Sequence, residues 1–131
     1  MPYVVIVTVL ALIQATYFGL MVGRARARYG VHAPATTGHD IFERTFRVQM
    51  NTNEQLLVFL PLLWIYAYFV SPLWAAGLGV VYLIGRVIYS VTYVKDPKSR
   101  SIGFLLTVLP SFTMMIWLLA WAANAIIKGA A

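Results

Sequence analysis

Four long apolar runs, separated by one polar connection, one proline turn and one charged turn, leave few folds open to this chain. A membrane-crossing helix needs about 20 mostly apolar residues. The first run, Pro2 to Gly23, meets that length. No basic residue precedes it, and Arg24, Arg26 and Arg28 follow it, which describes a retained anchor rather than a signal peptide. From Tyr29 to Asp40 the chain is polar, and Pro34, Thr36, Thr37 and Gly38 break any periodicity. A second helix is expected over Ile41 to Val70, roughly 45 Å long at about 1.5 Å per residue, with a bend at Pro61. Ser71-Pro72 makes an uncharged turn, and a third helix follows over Leu73 to Tyr93. Lys95-Asp96-Pro97-Lys98-Ser99-Arg100 ends it, and a fourth runs from Ile102 to Ile127 past Pro110. The expectation is an all-α integral membrane four-helix bundle, a single domain over residues 1–131.

Composition supports a lipid solvent. The chain is 61% hydrophobic and 11% charged, against about 25% charged in soluble domains. There is no cysteine, so any sulfur chemistry needs a ligand's sulfur. Two histidines and four acidic residues give no reason to expect a metal site. The net charge of +6 reads as topology and contact with anionic membrane lipid, not as a nucleic-acid footprint. Nine of the ten basic residues belong to the end holding the first and third connections, and Lys128 stands alone at the other. That bias puts those connections in the cytoplasm and both termini on the opposite side.

Ionisable groups on membrane helices need partners or a purpose. On the second helix Glu43, Arg47, Asn51 and Glu54 fall within about 80° at 100° per residue. On the third, Tyr82, Arg86, Tyr89 and Tyr93 fall within about 60°. Arg100 lies just beyond. Facing each other, the two stripes would make a cleft for a small zwitterionic polyacid, with guanidinium groups for its carboxylates. The pattern alone leaves a second reading equally open, in which these groups pair with one another, Arg47 with Glu43 or Glu54, and merely support packing. Two residues point elsewhere. Gln49 lies about 200° from Arg47, and Arg26 about 160° from Arg24, on the same count. They serve the same kind of cleft only if a symmetric neighbour brings it to them; otherwise they are a packing glutamine and a snorkelling arginine.

Phe42 to Glu54 (FERTFRVQMNTNE), Val81 to Arg100 (VYLIGRVIYSVTYVKDPKSR) and the Thr36-Thr37-Gly38 stretch resemble the family of membrane-associated proteins in eicosanoid and glutathione metabolism. The resemblance covers nearly the whole chain. Within that family it is to the branch of second-type microsomal glutathione transferases and leukotriene-C synthases. It implies a homotrimer with sites between neighbouring subunits and glutathione as co-substrate. It further implies that Arg47, Asn51, Glu54, Tyr89 and Tyr93 hold glutathione, that Arg26 and Gln49 reach in from the adjacent subunit, and that Arg100 activates the thiol. Two positions depart from the synthase pattern: Gln55 replaces a tyrosine contact, and Ala27 a second arginine, which puts leukotriene synthesis in doubt.

The activity this implies is glutathione transfer to lipophilic electrophiles, extending to reduction of lipid hydroperoxides. The alternatives are a membrane protein that binds lipid or glutathione without turnover, and a small transporter. Against the transporter, the charges gather at one end and leave no polar path through the bilayer.

Overall fold

The computed structural model describes residues 1–129. Four helices follow one another: α1 (Pro2–Tyr29), α2 (Asp40–Phe69), α3 (Pro72–Lys95) and α4 (Ser101–Ile127), with a 3₁₀ turn, Pro97–Ser99, before α4. Local chemistry sets their ends. Arginine is a good helix former, so Arg24, Arg26 and Arg28 extend α1 beyond the apolar run instead of opening the connection. Gly30 then stops α1 in the left-handed conformation at φ 68°, which costs glycine little. His39 caps α2, its Nδ1 accepting from the Ile41 amide at 3.1 Å, with Asp40 and Glu43 in the first turn where the helix dipole favours acids. Ser71 Oγ caps α3 by accepting from the Trp74 amide at 3.2 Å, and Pro72 opens that helix.

Consecutive helices run antiparallel. Trp64 Nε1 of α2 donates to Thr8 Oγ1 near the start of α1 at 3.0 Å, while Arg26 near the end of α1 lies over the Phe42 ring. Arg44 Nη1 of α2 donates to the Val94 carbonyl at the end of α3 at 3.1 Å, and the Phe59 and Tyr82 rings stack at 3.9 Å farther along. Helices α2 and α3 form the inner pair, each packing against both α1 and α4. The main core lies toward the Lys128 end, where Val4, Val7, Ala11, Phe59, Leu63, Tyr66, Tyr82 and Met114 meet. On the outside, Leu57, Leu73, Ile116, Leu119 and Ile127 stand exposed, as suits a protein solvated by acyl chains.

Helix α1, helix α3 and the segment Pro97–Ile127 are each long and apolar enough to cross a membrane. The expectation of four spans needs one qualification. Helix α2 has 30 residues but does not reach that apolarity, because its first half carries the polar stripe. It nevertheless runs the full height of the bundle, from Arg44 against the end of α3 to Phe69 against Trp121 of α4. Asn51 of its polar stripe is buried, while Arg47 and Glu54 pair with each other at the basic end, and paired polar groups of this kind are tolerated on a membrane helix.

Close approach of α3 and α4 depends on two glycines. A Cβ on Gly85 would meet the Thr107 amide nitrogen at 2.7 Å, and a Cβ on Gly103 would overlap the Tyr89 backbone. Small residues let membrane helices approach to backbone contact. Here that contact sets the position of Arg100, three residues before Gly103, relative to Tyr89.

Candidate functional site

At the basic end of the bundle a cavity of about 410 Å³ is lined by Arg47 and Asn51 of α2, Tyr89 and Tyr93 of α3, Arg100, and Phe104 of α4. A second hollow of about 480 Å³ shares Arg47 and Tyr93 and opens toward Thr36, Asp40, Glu43 and Arg44. The two adjoin at Arg47 and Tyr93, which line both, and Phe104 at the start of α4 walls the first.

Each wall has a local cause. Arg47 and Asn51 are one helical turn apart and so share a face. Arg47 Nη1 lies 3.3 Å from Glu54 Oε1, with the two side chains 51% and 55% exposed. Of the two pairings the sequence allowed for Arg47, this one forms. Glu43 instead accepts from the Gly38 amide at 3.2 Å and ties the first connection to α2. Tyr89 and Tyr93 are again one turn apart, and their rings stack at 5.4 Å. Phe18 of α1 and Val48 of α2 pack against buried Tyr89. Arg100 is aimed by the short turn before α4. Asp96 Oδ1 accepts from the Lys98 amide at 3.1 Å, and Ser99 Oγ donates to the carbonyls of Asp96 (2.7 Å) and Thr92 (3.0 Å). Among the described residues Arg100 itself has one long hydrogen bond, from Nη1 to the Pro97 carbonyl at 3.4 Å, and takes part in no ion pair.

Five of the eight expected residues therefore share one cavity, and Glu54 adjoins it through Arg47. Arg26 and Gln49 are not brought to this cavity within the subunit. Arg26 Nη1 donates to the Ala35 carbonyl at 2.8 Å and its guanidinium stands over Phe42. Gln49 packs against Gly19 of α1. Neither lines the cavity, which for Gln49 follows from its angle to Arg47 on α2.

The α3 stripe needs a correction. Tyr82 and Arg86 share the angular face of Tyr89 and Tyr93, yet they do not line the cleft. Deeper in the bundle α2 and α4 close over that face. Tyr82 is stacked on Phe59, and Arg86 is fully buried, its Nη1 donating to Asn51 Oδ1 at 2.8 Å. Three contributors had no expected part in the site. Phe104 forms the apolar wall; its signal was its place one turn after Arg100 on α4. Arg44 holds the last carbonyls of α3, and Ser99 holds the turn. Neither Arg44 nor Ser99 differs in sequence from an ordinary membrane-edge residue.

The arrangement is cationic and rich in donors. Arg47 and Arg100 flank the cavity, Glu54 balances only Arg47, and two phenols and an amide fill the gap. Such a set holds carboxylates and stabilises an anion formed between its arginines. Among the described residues no cluster of histidine, aspartate and glutamate is arranged to hold a metal ion.

The model of the MAPEG family matches residues 4–120. An uncharacterised protein of Synechocystis is 46% identical over 111 residues, covering 85% of this chain and 81% of that protein. Human microsomal glutathione S-transferase 2 is 41% identical over 101 residues, covering 77% and 69%. Bovine leukotriene C4 synthase is 36% identical over 113 residues, covering 86% and 72%.

Proposed function

The chain belongs to the MAPEG family, and from that premise we propose that it is a membrane-bound glutathione transferase acting on lipophilic electrophiles. The observation that carries this reading is the grouping of Arg47, Asn51, Tyr89, Tyr93 and Arg100 around one cavity at the basic end of the bundle. Relatives whose names state glutathione transfer and leukotriene C4 synthesis support the same substrate.

Glutathione carries two carboxylates, one amine, two peptide groups and a thiol. In this reading Arg47 and Asn51 take acidic or carbonyl oxygens, Glu54 takes the amine, and the tyrosines hold the peptide. The thiol lies toward Arg100. A free thiol is mostly protonated at neutral pH, and the thiolate is the nucleophile. A guanidinium stays charged and stabilises the thiolate by Coulomb attraction and hydrogen bonding. Arg100 suits that role because no carboxylate among the described residues neutralises it. The proton leaves to water at the open edge.

An apolar electrophile arrives from the lipid side, past Phe104. The thiolate attacks its carbon, the C–S bond forms, and the leaving group or opened ring oxygen takes the electron pair. With a lipid hydroperoxide the thiolate attacks the terminal oxygen and the O–O bond breaks. Glutathione sulfenic acid and an alkoxide result, the alkoxide takes a proton from water at the open edge to become the alcohol, and a second glutathione converts the sulfenic acid to disulfide and water. We assign the site to the cytoplasmic side from the lysine and arginine bias. We assign a homotrimer from the family resemblance, in which Arg26 and Gln49, which do not line their own subunit's cavity, reach a neighbour's.

The test is ultraviolet difference absorbance of the thiolate when glutathione is added to the purified protein in detergent. Wild type should give the signal and Arg100→Ala should lose it while still binding glutathione. Binding without thiolate in wild type would remove the activation step and leave a non-catalytic binding protein. A folded protein that binds no glutathione would overturn the proposal.

A further inference from the structure

Arg86 stands in the middle of α3 with 0% of its surface exposed. The only ion pair among the described residues is Arg47–Glu54, so no carboxylate neutralises this guanidinium. Its Nε and Nη2 have no hydrogen-bond partner there, nor does Tyr82 Oη. A buried charge so poorly compensated inside a membrane bundle is costly and marks a functional demand. Its two definite contacts both lead to the cavity. Nη1 donates to Asn51 Oδ1 at 2.8 Å, and the guanidinium carbon lies 4.4 Å from the centre of the Tyr89 ring. Asn51 and Tyr89 both line the cavity; Arg86 does not.

Donor chemistry makes the first contact directional. An asparagine amide can turn over and present either oxygen or nitrogen. A guanidinium has only donors, so the group facing Arg86 must be Oδ1. That leaves the Asn51 amide nitrogen free to point into the cavity. We propose that Arg86 is a positioning residue that locks Asn51 as a donor toward the cavity, so that this part of the site takes a carboxylate or carbonyl oxygen and rejects an amine. Its guanidinium also stands over the Tyr89 ring. Resting on the glutathione reading above, the inference assigns Asn51 to a carboxylate or peptide oxygen of the tripeptide. The amine is left to Glu54.

A double-mutant cycle on glutathione binding, by calorimetry in detergent, tests the lock. Relative to wild type, Arg86→Gln and Asn51→Ala should each weaken binding about tenfold, the scale of one good hydrogen bond. The double variant should be no worse than Asn51→Ala, because Arg86 acts through Asn51. Arg86→Lys, which keeps a charge and donors, should bind within about threefold of wild type. Asn51→Asp should stay folded by pairing with Arg86, yet lose binding because it offers only acceptors. If Arg86→Gln does not fold, the Arg86→Lys and Asn51→Asp results decide. Multiplicative losses in the double variant, or wild-type affinity in Asn51→Asp, would overturn the inference while leaving glutathione binding intact. Absence of binding by the wild type would sink the functional reading, and this inference with it.

Discussion

Replacing Gly103 by alanine tests whether helix contact, rather than side-chain chemistry alone, builds the site. The added Cβ would overlap the Tyr89 amide nitrogen and Cα, and would lie 2.9 Å from Tyr89 Cβ. Carbon atoms settle at about 3.5–4.0 Å, so clearing Tyr89 Cα, 2.5 Å away, requires the start of α4 to move outward by at least ~1 Å. The clashing atoms belong to a helix backbone and cannot rotate away. Overpacking of this kind costs about 1–3 kcal/mol, while alanine in a helix recovers up to about 1 kcal/mol over glycine. A net loss of about 0–2 kcal/mol is expected. The functional effect should be larger, because the same movement carries Arg100 away from Tyr89, and a misplacement of about 1 Å can cost on the order of 100-fold in rate. Gly77→Ala is the control. A Cβ there meets nothing within 4 Å, so it should stabilise α3 by roughly 0.5–1 kcal/mol and leave the site alone. The assay is unfolding in detergent together with the glutathione thiolate signal. If Gly103→Ala proves as stable as Gly77→Ala and keeps the full signal, the argument from backbone contact is wrong.

Two further outcomes are expected. Subunits carrying Arg26→Ala and subunits carrying Arg100→Ala should each be inactive alone, and mixed assemblies of the two should regain turnover with a lipophilic electrophile; no recovery on mixing would place Arg26 outside the neighbour's site. Ser99→Ala removes hydrogen bonds of 2.7 and 3.0 Å that hold the turn before α4. It should cost about 1 kcal/mol of stability and lower kcat more than it raises KM, and steady-state kinetics showing only a KM change would refute an aiming role.

Much of this molecule is legible in the order of its residues. Four apolar runs with one proline turn and one charged break are enough for a helical membrane bundle, because lipid offers backbone groups no partner except their own helix. Helical spacing likewise puts Arg47 beside Asn51 and Tyr89 beside Tyr93, and turns Gln49 away from Arg47 and Arg26 away from Arg24. Those angles are properties of single helices, set by 3.6 residues per turn. What covers a given angle at a given height is a property of the bundle. Tyr82 and Arg86 share the angular face of Tyr89, yet α2 and α4 close over them, and the expected cleft lining becomes its buried support. Phe104 enters the cavity wall only because Gly85 and Gly103 let α4 approach α3 to backbone contact. Sequence periodicity therefore determined which side chains point together along each helix. Only tertiary packing decided which of those faces stays open to a ligand and which is sealed behind it, because that depends on the distance between helices, set by small residues far apart in the chain.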